Sequence, residues 1–386
     1  MAVVLFDNDK RSSLYPFTYT KAVAGLFYGM MSVQNRWQLL MQSEVLIETV
    51  PYLQALYGDV PDDIHTWINA ALLPDDSLID HIKKLKEGDV LEDGSGIIAC
   101  CGKGTHLKKT LENSAINFLV ITDVHWLRYP HQLLQINDAF IRSDFALLTN
   151  GKTSQPIPSS NHCTIPGNIF IEEGAYIECA VINAQSGPVY IGKNAVVMEG
   201  SLLRGPLFIG EGAVVKMGAK IYGATSIGHH GTAGGEIKNS ILSSYSNKAH
   251  DGYLGDSVVG EWCNFGAGAS NSNVKNTAGD VMLWNDYENS SINAGNKCGV
   301  MVGDYTRIAI NSSINTGSVY GISCNVFGEG LLPARLRNFC WGATGEGYTI
   351  DKAIKHIRHW KAFKAQTLSP AEESALTYIF DHFINP

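Results

Sequence analysis

The residues best suited to chemistry lie in one short segment, SNKAHDGYLGDS, at residues 246–257. It contains His250, and Tyr253 follows three residues later. Glu236 and Lys238 come shortly before the segment. An imidazole can take a proton from an amine as that amine attacks a thioester, and a carboxylate can orient either group. The segment therefore predicts general-base catalysis at His250, and the alternative is a hydrogen-bonded structural histidine.

Two lysines suggest a binding spot for an anion. Lys220 and Lys238 are eighteen residues apart, which is one full coil of a six-residue repeat. We therefore expect them to stack about 5 Å apart on adjacent coils. Two ammonium groups at that spacing repel one another unless an anion lies between them. The pair predicts a phosphate-binding spot, and the alternative is that both stems extend into solvent.

A framework for these residues is predicted by a six-residue periodicity that begins near Ile165. Neither a helix nor a strand has that period, and sustained six-residue spacing is typical of a parallel β-helix. The glycine in pairs such as Ile191-Gly192 is expected to permit a tight corner. The recurring positions are Ile191, Val197, Leu203, Ile209, Val215, Ile221, Ile227 and Ala233, and then Val302, Ile308, Ile314, Tyr320 and Val326.

The repeat is interrupted between Ala233 and Leu254, which are twenty-one residues apart instead of eighteen. Extra residues in a solenoid are extruded as loops on one face, and that face is often the binding face. Because His250 lies inside this interruption, we expect it on an extruded loop. Roughly eight or nine coils between residues 165 and 330 would give a prism about 40 Å long.

The first 155 residues have a different pattern, in which strand and helix signals alternate. Alternation of this kind favours a largely parallel sheet. The third predicted strand is expected to be buried and to end in an aspartate. The predicted strands are 3–7, 45–48 and 117–126, and the predicted helices are 26–41 and 77–88, the latter with a serine start and a glycine stop.

The end of the chain is predicted to be helical again. Ser369, Pro370 and Glu372 form a capping box with proline at the first helical position. Residues 351–365 are predicted as a further helix with a basic face, which we interpret as a solvated face over a packed apolar stripe.

The composition narrows the class of protein. The 386 residues are 45% hydrophobic, enough for two cores. We divide the chain into an α/β domain at 1–155, a β-helix at 156–330 and a helical extension at 331–386. The net charge of −8 argues against a nucleic-acid partner, and no apolar run approaches the roughly 18 residues of a membrane helix. Eight cysteines without metal-type spacing indicate a reducing compartment, so we expect a cytoplasmic protein with no membrane partner.

The segment 236–273, EIKNSILSSYSNKAHDGYLGDSVVGEWCNFGAGASNSN, resembles part of a known family of bifunctional enzymes. The family combines N-acetylglucosamine-1-phosphate uridylyltransferase and glucosamine-1-phosphate N-acetyltransferase domains. The resemblance implies a left-handed parallel β-helix with acetyl-CoA as co-substrate. It implies a small-molecule acceptor, either an amino-sugar phosphate or a nucleotide-linked amino sugar. It also implies a homotrimer, in which a neighbouring copy completes each site.

The resemblance also assigns roles to individual residues. The proposed base of the family falls on His250, and its E-x-K motif falls on Glu236 and Lys238. Tyr253 and Lys238 serve the sugar phosphate, and Lys220 stands in for a family arginine that has no clear counterpart here. The histidine follows its lysine by two residues rather than three, which departs from the family. The other implied contacts are Asn264 and Asn273 to the sugar, and Ala267 with Gly266 and Gly268 to acetyl-CoA and the oxyanion.

The N-terminal domain resembles a reduced, Rossmann-like nucleotidyltransferase domain. In that family a glycine-rich loop after the first strand holds the triphosphate, whereas Asp-Asn-Asp stands here at residues 7–9. Arg11 and Lys21 match basic residues of the family, and Asp123 matches its magnesium-binding aspartate. If this domain is active, the resemblance implies Mg²⁺ at Asp123.

The first interpretation is an acetyl-CoA-dependent N-acetyltransferase of the hexapeptide type that carries a degenerate nucleotidyltransferase domain. Direct attack in a ternary complex is expected, because no cysteine lies in the right segment to form an acyl-enzyme. One alternative is a sugar-phosphate nucleotidyltransferase in which the β-helix only holds the trimer together. The other is a non-catalytic scaffold that binds a sugar nucleotide. Release of CoA, release of pyrophosphate, or binding without turnover distinguishes the three.

Overall fold

A computed structural model describes residues 2–113 and 116–384 of the protein. The first part of the chain is an α/β domain in which a mixed sheet is flanked by helices. Its strands are β1 (Val3–Phe6), β2 (Phe27–Tyr28), β3 (Met31–Ser32), β4 (Val45–Glu48), β5 (Asp63–Asn69), β6 (Asp89–Asp93), β7 (Gly96–Gly104) and β8 (Asn117–Val120). Its helices are α1 (Val33–Met41), α2 (Pro51–Gln54), α3 (Asp76–Lys83), α4 (Leu107–Asn113) and α5 (Gln132–Thr149).

The strand order of this sheet is β4–β1–β5–β7–β6–β8. β4, β1 and β5 are parallel to one another, as the alternating pattern predicted, whereas β7 runs antiparallel to both β5 and β6. After β1 the chain forms β4 on one side of β1 and then crosses to form β5 on the other side. At such a change of direction a crevice is expected outside the carboxyl ends of β1 and β5. The predicted strands at 3–7 and 45–48 are confirmed as β1 and β4.

Three other predicted elements are corrected by the structure. Residues 26–41 do not form one helix, because Gly29 at a φ of 64° turns the chain into a β2–β3 hairpin before α1. α3 begins after Asp75, whose side chain accepts from the Leu78 N–H at 2.8 Å, rather than at a serine. The segment predicted as a buried strand is strand only over β8, at the exposed edge of the sheet, where Val120 is 69% exposed.

The middle of the chain is a left-handed parallel β-helix, as the six-residue period and the resemblance predicted, and it has about ten turns rather than eight or nine. Three sheets form its faces. The first face contains Ile169–Ile171, Val189–Ile191, Leu207–Ile209, Thr225–Ile227, Ile241–Leu242, Val258–Val259, Val300–Val302, Ser318–Tyr320 and Arg335–Leu336. The second contains Tyr176–Ile177, Val196–Val197, Val214–Val215, Thr232–Ala233, Asn247–Lys248, Asn264–Phe265, Arg307–Ile308, Asn325–Val326, Cys340–Trp341 and Glu346–Gly347. The third contains His162–Thr164, Val181–Asn183, Leu202–Arg204, Lys220–Tyr222, Glu236–Lys238 and Tyr253–Gly255, continued by Ser270–Asn271 and Ser313–Ile314.

The residues spaced by six point into the prism. Ile191, Ile209 and Ile227 are fully buried and stack on one another along the first face. A glycine follows each of these isoleucines, but it is not needed for a tight corner as predicted. A Cβ at Gly192 would lie 2.7 Å from the backbone nitrogen of Glu211 in the next coil, so these glycines permit close stacking of coils rather than an unusual φ.

The predicted interruption of the repeat is resolved by shortened coils, not by an extruded loop. Lys220 pairs with Glu236, and Glu236 pairs with Tyr253, so the chain from Ala233 to Leu254 stays within the prism. The extrusion lies instead at residues 272–299, between two coils of the solenoid. It contains an antiparallel hairpin with strands Met282–Asn285 and Ser290–Asn293.

The hairpin ties the solenoid to the α/β domain. Val281 and Leu283 are buried in the same apolar cluster as Leu14 and Trp37. The amide of Asn285 donates to the carbonyl of Ser13 at 2.8 Å. The two parts therefore share a core.

Two helices follow the solenoid, α6 (Ile350–Phe363) and α7 (Pro370–Phe383). The predicted capping box at the start of α7 is present, and strands of the second face continue past the boundary set at 330. No helix within residues 2–113 and 116–384 has the length and apolar character needed to cross a membrane.

Candidate functional site

His250 lies on the corner formed by residues 249–252, which joins the second face to the third face of the prism. Its side chain is exposed. The corner below has Gly234 and Gly235, where an added Cβ would lie 2.3 Å from the Ala249 carbonyl oxygen and 2.7 Å from that of His250. The two corners can therefore stack only because the lower one lacks side chains, and this stacking fixes the backbone that carries the imidazole.

The corner above His250 contains the G-A-G segment at residues 266–268. The Gly268 N–H donates to the Asp251 carbonyl at 2.9 Å, and the Gly266 N–H donates to the Ile308 carbonyl at 2.8 Å. These two amides are therefore committed to the solenoid and do not serve an oxyanion, contrary to the prediction for them. Among the described residues, no acceptor contacts the N–H of the exposed Ala267. The structure leaves this amide, one corner above His250, available to a ligand.

A carboxylate and two phenols lie beside this corner on the third face. Glu236 is opposite Tyr253 in adjacent coils, and Tyr222 donates its hydroxyl hydrogen to Glu236 Oε1 at 2.7 Å. That hydrogen bond raises the pKa of Tyr222. Burial and the nearby Asp256 carboxylate raise the pKa of Tyr253 to about 12. Both phenols therefore keep their protons near neutral pH and remain hydrogen-bond donors.

A buried carboxylate that the sequence reasoning missed anchors the same face. Asp256 is 5% exposed and accepts from Asn239 Nδ2 at 2.6 Å and from Asn273 Nδ2. Asn273 Nδ2 also lies 3.2 Å from the Tyr253 hydroxyl. The structure thus brings the predicted Tyr253 and Asn273 into direct contact, and Asp256 holds the amide of Asn273. The G-D step after Tyr253 was the available sequence signal, because aspartate tolerates the left-handed φ of 47° found there.

The predicted stack of Lys220 on Lys238 is wrong. The shortened coil pairs Lys220 with Glu236 and Lys238 with Tyr222. Lys220 instead lines a trough of about 400 Å³ on the third face, together with Arg204. Arg204 is thus a cation near Lys220 that was not predicted from the sequence. The reason is that the position of Arg204 relative to Lys220 depends on the register of the coils.

Asn264 is not brought together with Glu236 and Tyr253. It lies on the second face, where it pairs with Asn247 of the coil below. The side chain of Lys364, which follows α6, donates to Asn247 Oδ1 at 3.0 Å. The sugar contact of Asn264 stays a prediction. Within one copy of the chain, Asn264 lies on the second face, whereas Glu236 and Tyr253 lie on the third.

Arg11 of the N-terminal domain is committed to internal contacts. Its Nε lies 3.0 Å from Asp7 Oδ2, and both side chains are buried. Its Nη2 donates to the carbonyls of Thr18 and Lys21. The guanidinium therefore organises the loop after β1 from the inside, and the aspartate at the position of a family glycine is its partner.

Lys21 is committed as well. Its Nζ lies 2.9 Å from Asp304 Oδ2 and 3.1 Å from Glu261 Oε2, both on the solenoid. Burial alone would lower the pKa of Lys21, but the two carboxylates raise it overall. The lysine predicted to face a nucleotide instead joins the two domains.

Asp123 is exposed and follows the edge strand β8. Three strands, β5, β7 and β6, lie between β8 and β1 in the sheet, so Asp123 is far from the loop after β1. In the part of the chain that the structure describes, no group of three acidic, histidine or cysteine side chains is placed to hold a metal ion. The residues present do not fit the Mg²⁺ site that the resemblance implied.

A cleft of about 280 Å³ does lie at the carboxyl ends of β1 and β5. Lys10 and Arg128 line it together with Trp126 and Tyr129. The hairpin of the solenoid closes one side with Tyr287. Cations next to aromatic rings suit a phosphorylated ligand with a flat base or a sugar ring. Arg11 was predicted rather than Lys10 because it matches the family motif, but the structure turns Arg11 inward and places Lys10 at the cleft.

Fold and site together define the class: an α/β nucleotidyltransferase-like domain joined to a left-handed β-helix of the hexapeptide type. Residues 3–153 match the family described as Sugar nucleotidyl transferase. The chain is therefore similar to the bifunctional nucleotidyltransferase/acetyltransferases, and the resemblance read from the motifs is confirmed.

Two curated proteins and one solved structure are among the matches of this chain. The bifunctional protein GlmU of Methanococcus vannielii is 25% identical over 238 residues, covering 57% of this chain and 48% of that protein. The bifunctional sugar-1-phosphate nucleotidylyltransferase/acetyltransferase of Sulfurisphaera tokodaii is 31% identical over 93 residues, covering 24% and 23%. The solved structure of Francisella novicida UDP-N-acetylglucosamine acyltransferase has 14% identity and a TM-score of 0.28 over 58% of this chain and 76% of that chain. The chain spans about half the length of the first of these relatives.

Proposed function

We propose that the protein is a hexapeptide-type N-acetyltransferase that moves an acetyl group from acetyl-CoA to the amine of a sugar phosphate or nucleotide-linked sugar. The observation that carries the proposal is the stack of corners on one edge of the prism. His250 is exposed between a side-chain-free corner below and the G-A-G segment above. An imidazole and an unoccupied backbone N–H in adjacent corners are the two groups that direct acyl transfer needs.

In this proposal His250 acts as the general base. The amine nitrogen of the acceptor attacks the thioester carbonyl carbon, and its proton passes to the imidazole. The N–H of Ala267 donates to the oxyanion of the tetrahedral intermediate. The carbon–sulfur bond then breaks, and the imidazolium returns the proton to the CoA thiolate. The products are CoA and the N-acetylated sugar.

Acceptor binding is assigned to the third face. Glu236 accepts from Tyr222, and this fixes the free oxygen of the carboxylate to receive the substrate amine or a sugar hydroxyl. Tyr253 donates to the sugar phosphate, and Asn273 holds the phenol in place. Lys220 is assigned to the phosphate, now with Arg204 in the same trough as its partner.

A homotrimer is part of the proposal. Val181 and Leu202 are 40% and 47% exposed on the third face, in the trough that contains Lys220. Exposed aliphatic side chains beside a substrate trough suit an interface between copies of the chain. A neighbouring copy would cover the imidazole and exclude water from the reaction. Multi-angle light scattering of the purified protein gives the number of copies.

The test is CoA release from acetyl-CoA with a panel of amino-sugar phosphates and nucleotide-linked amino sugars. His250→Ala is expected to lower kcat by about 10² to 10⁴ and to leave acceptor binding intact. His162→Ala, at an exposed histidine at the far end of the third face, is the matched control and should retain full activity. Equal rates for wild type and His250→Ala would refute the proposal.

The cleft in the N-terminal domain supports a second function, the binding of a phosphorylated sugar or nucleotide without transfer. Lys10 and Arg128 are exposed cations beside three aromatic rings, whereas Arg11 and Lys21 are occupied. Calorimetric titration with UDP-N-acetylglucosamine in EDTA is the test. Lys10→Gln and Arg128→Gln should each weaken binding about tenfold, while Lys83→Gln on α3 should not. Release of pyrophosphate from UTP and a sugar 1-phosphate would favour active nucleotidyl transfer instead.

A further inference from the structure

A lysine lies inside the prism, directly before the corner that carries His250. Lys248 is fully buried, and it stacks on Ala233 in the coil below. Apolar side chains fill the corresponding inward positions of the second face. They are Ile177, Val197, Val215, Ala233, Phe265, Ile308 and Val326.

The ammonium of Lys248 contacts backbone oxygens of two successive corners. Its Nζ lies 3.4 Å from the carbonyl oxygen of Gly234 and donates to the carbonyl oxygen of His250. The small side chain of Ala233 leaves room for the lysine stem below. Asp251 is the charged residue that acts on this ammonium. The amine thus holds, from the interior, the same peptide that carries the exposed imidazole.

Stability does not account for a lysine at this position. A buried ammonium loses its hydration, and a well-packed apolar side chain of similar volume is usually at least as stable. Burial also lowers the pKa of Lys248, to about 8, which is the mark of a charge held in an unfavourable place. The two carbonyls offset only part of that cost, so a functional role at the corner accounts better for the lysine.

We propose that Lys248 is a positioning residue for the acyl-transfer step, which fixes the His250 peptide from inside the prism. The inference rests on the proposed function of His250. Three contacts then hold the corner: the glycines below it, the Gly268 N–H above it, and the Lys248 ammonium within. Because this peptide is fixed, the imidazole is held in the orientation that reaches the acceptor amine.

The test compares Lys248→Met, which keeps the volume and removes the donor, with Lys248→Arg, which keeps the donor. Lys248→Met is expected to lower kcat about ten- to a hundredfold, because small misplacements of a reacting group have effects of this size. KM for acetyl-CoA should change less than twofold, and Lys248→Arg should recover part of kcat. The control is Val197→Ala in the same inward column, which should lower the unfolding midpoint and leave kcat unchanged.

A second readout is independent of turnover. The N–H groups of Gly234, Glu236 and Gly268 donate to the carbonyls of Lys248, Gly252 and Asp251. Hydrogen–deuterium exchange of these amides should be about tenfold faster in Lys248→Met than in wild type. Exchange of residues 214–216, two corners away, should not change.

The outcomes separate the two ideas. If wild type transfers no acetyl group, the proposed function fails, and the exchange measurement still decides whether Lys248 holds the corner. If wild type is active and Lys248→Met has kcat within twofold of it, the positioning role is overturned. Unchanged exchange at Gly234 and Gly268 overturns it as well, whatever the activity.

Discussion

The hydroxyl of Tyr222 donates to Glu236 Oε1 across adjacent coils of the third face, at 2.7 Å. Glu236 is half-buried there, and its next neighbour in the stack is Tyr253. One carboxylate oxygen is therefore occupied and the other is directed by that contact. This relationship makes Tyr222 a candidate site residue although no motif identified it.

Removal of that hydroxyl is expected to weaken catalysis without unfolding the prism. In Tyr222→Phe the Glu236 carboxylate loses its fixed orientation, and kcat/KM for the acceptor should fall about tenfold, which corresponds to about 1.4 kcal/mol. Steady-state kinetics of CoA release measures this. Tyr176→Phe, at an exposed tyrosine on the second face, should behave like wild type. An unchanged kcat/KM in Tyr222→Phe would remove Glu236 from the acceptor site.

The contacts of Lys21 lead to an expectation about stability rather than catalysis. Lys21→Met leaves the Glu261 and Asp304 carboxylates without their cation at the junction of two domains. Breaking a buried pair in this way typically costs about 3–5 kcal/mol, so the unfolding midpoint in urea should fall clearly. Lys21→Met combined with Asp304→Asn should recover part of the loss. A variant of normal stability that had lost binding of UDP-N-acetylglucosamine would show that the lysine serves a nucleotide after all.

The β-helix could be predicted from the sequence because its six-residue repeat is a local pattern. One inward residue in every six, as at Ile191, Ile209 and Ile227, follows from the geometry of a three-sided coil and leaves a period that no helix or strand shares. His250 could be singled out for the same reason, since it lies where that period becomes irregular. The segment around it also carried the motifs of the resemblance.

The register of the coils could not be read in the same way. Whether extra spacing forms a loop or the coils shorten depends on which backbones stack, and that is a contact between distant residues. The sequence therefore predicted Lys220 against Lys238, where the structure pairs Lys220 with Glu236. Lys248 was missed for a related reason, because a lysine in a polar segment between Asn247 and Ala249 normally faces solvent. The hairpin at 272–299 was missed because its apolar residues complete the core of the other domain.

The buried ammonium of Lys248 should make stability depend on pH in a definite direction. Burial lowers its pKa to about 8 in the folded protein, against about 10.4 in an unfolded chain. The folded state therefore binds this proton more weakly than the unfolded state. Wild type carries the full cost of the buried charge below pH 8, and that cost disappears as the pH rises towards 10.4.

Lys248→Met removes the charge at every pH. It is expected to be more stable than wild type by about 3 kcal/mol at pH 7, with the difference shrinking towards zero near pH 10.5. Urea unfolding of the two proteins in parallel at several pH values measures the difference, and all other titrations cancel. A difference that stayed constant between pH 7 and 10.5 would mean that the lysine is not a buried charge. A gain in stability together with a loss of kcat would mark a residue kept for function.

The exposed Ala267 tests the position assigned to acetyl-CoA. Its side chain is open to solvent, and its N–H lies one corner above His250. A large side chain there, as in Ala267→Tyr, should cover the surface beside the G-A-G segment without disturbing the inward face of the prism. KM for acetyl-CoA is expected to rise at least tenfold, because a blocked contact surface of this size is worth more than about 1.4 kcal/mol. Binding of the acceptor alone should not change.

Titration with CoA and with the acceptor measures the two separately, and the control is Met217→Tyr, at a residue 69% exposed lower on the prism. If Ala267→Tyr bound CoA as tightly as wild type, acetyl-CoA would have to approach His250 from the third face instead.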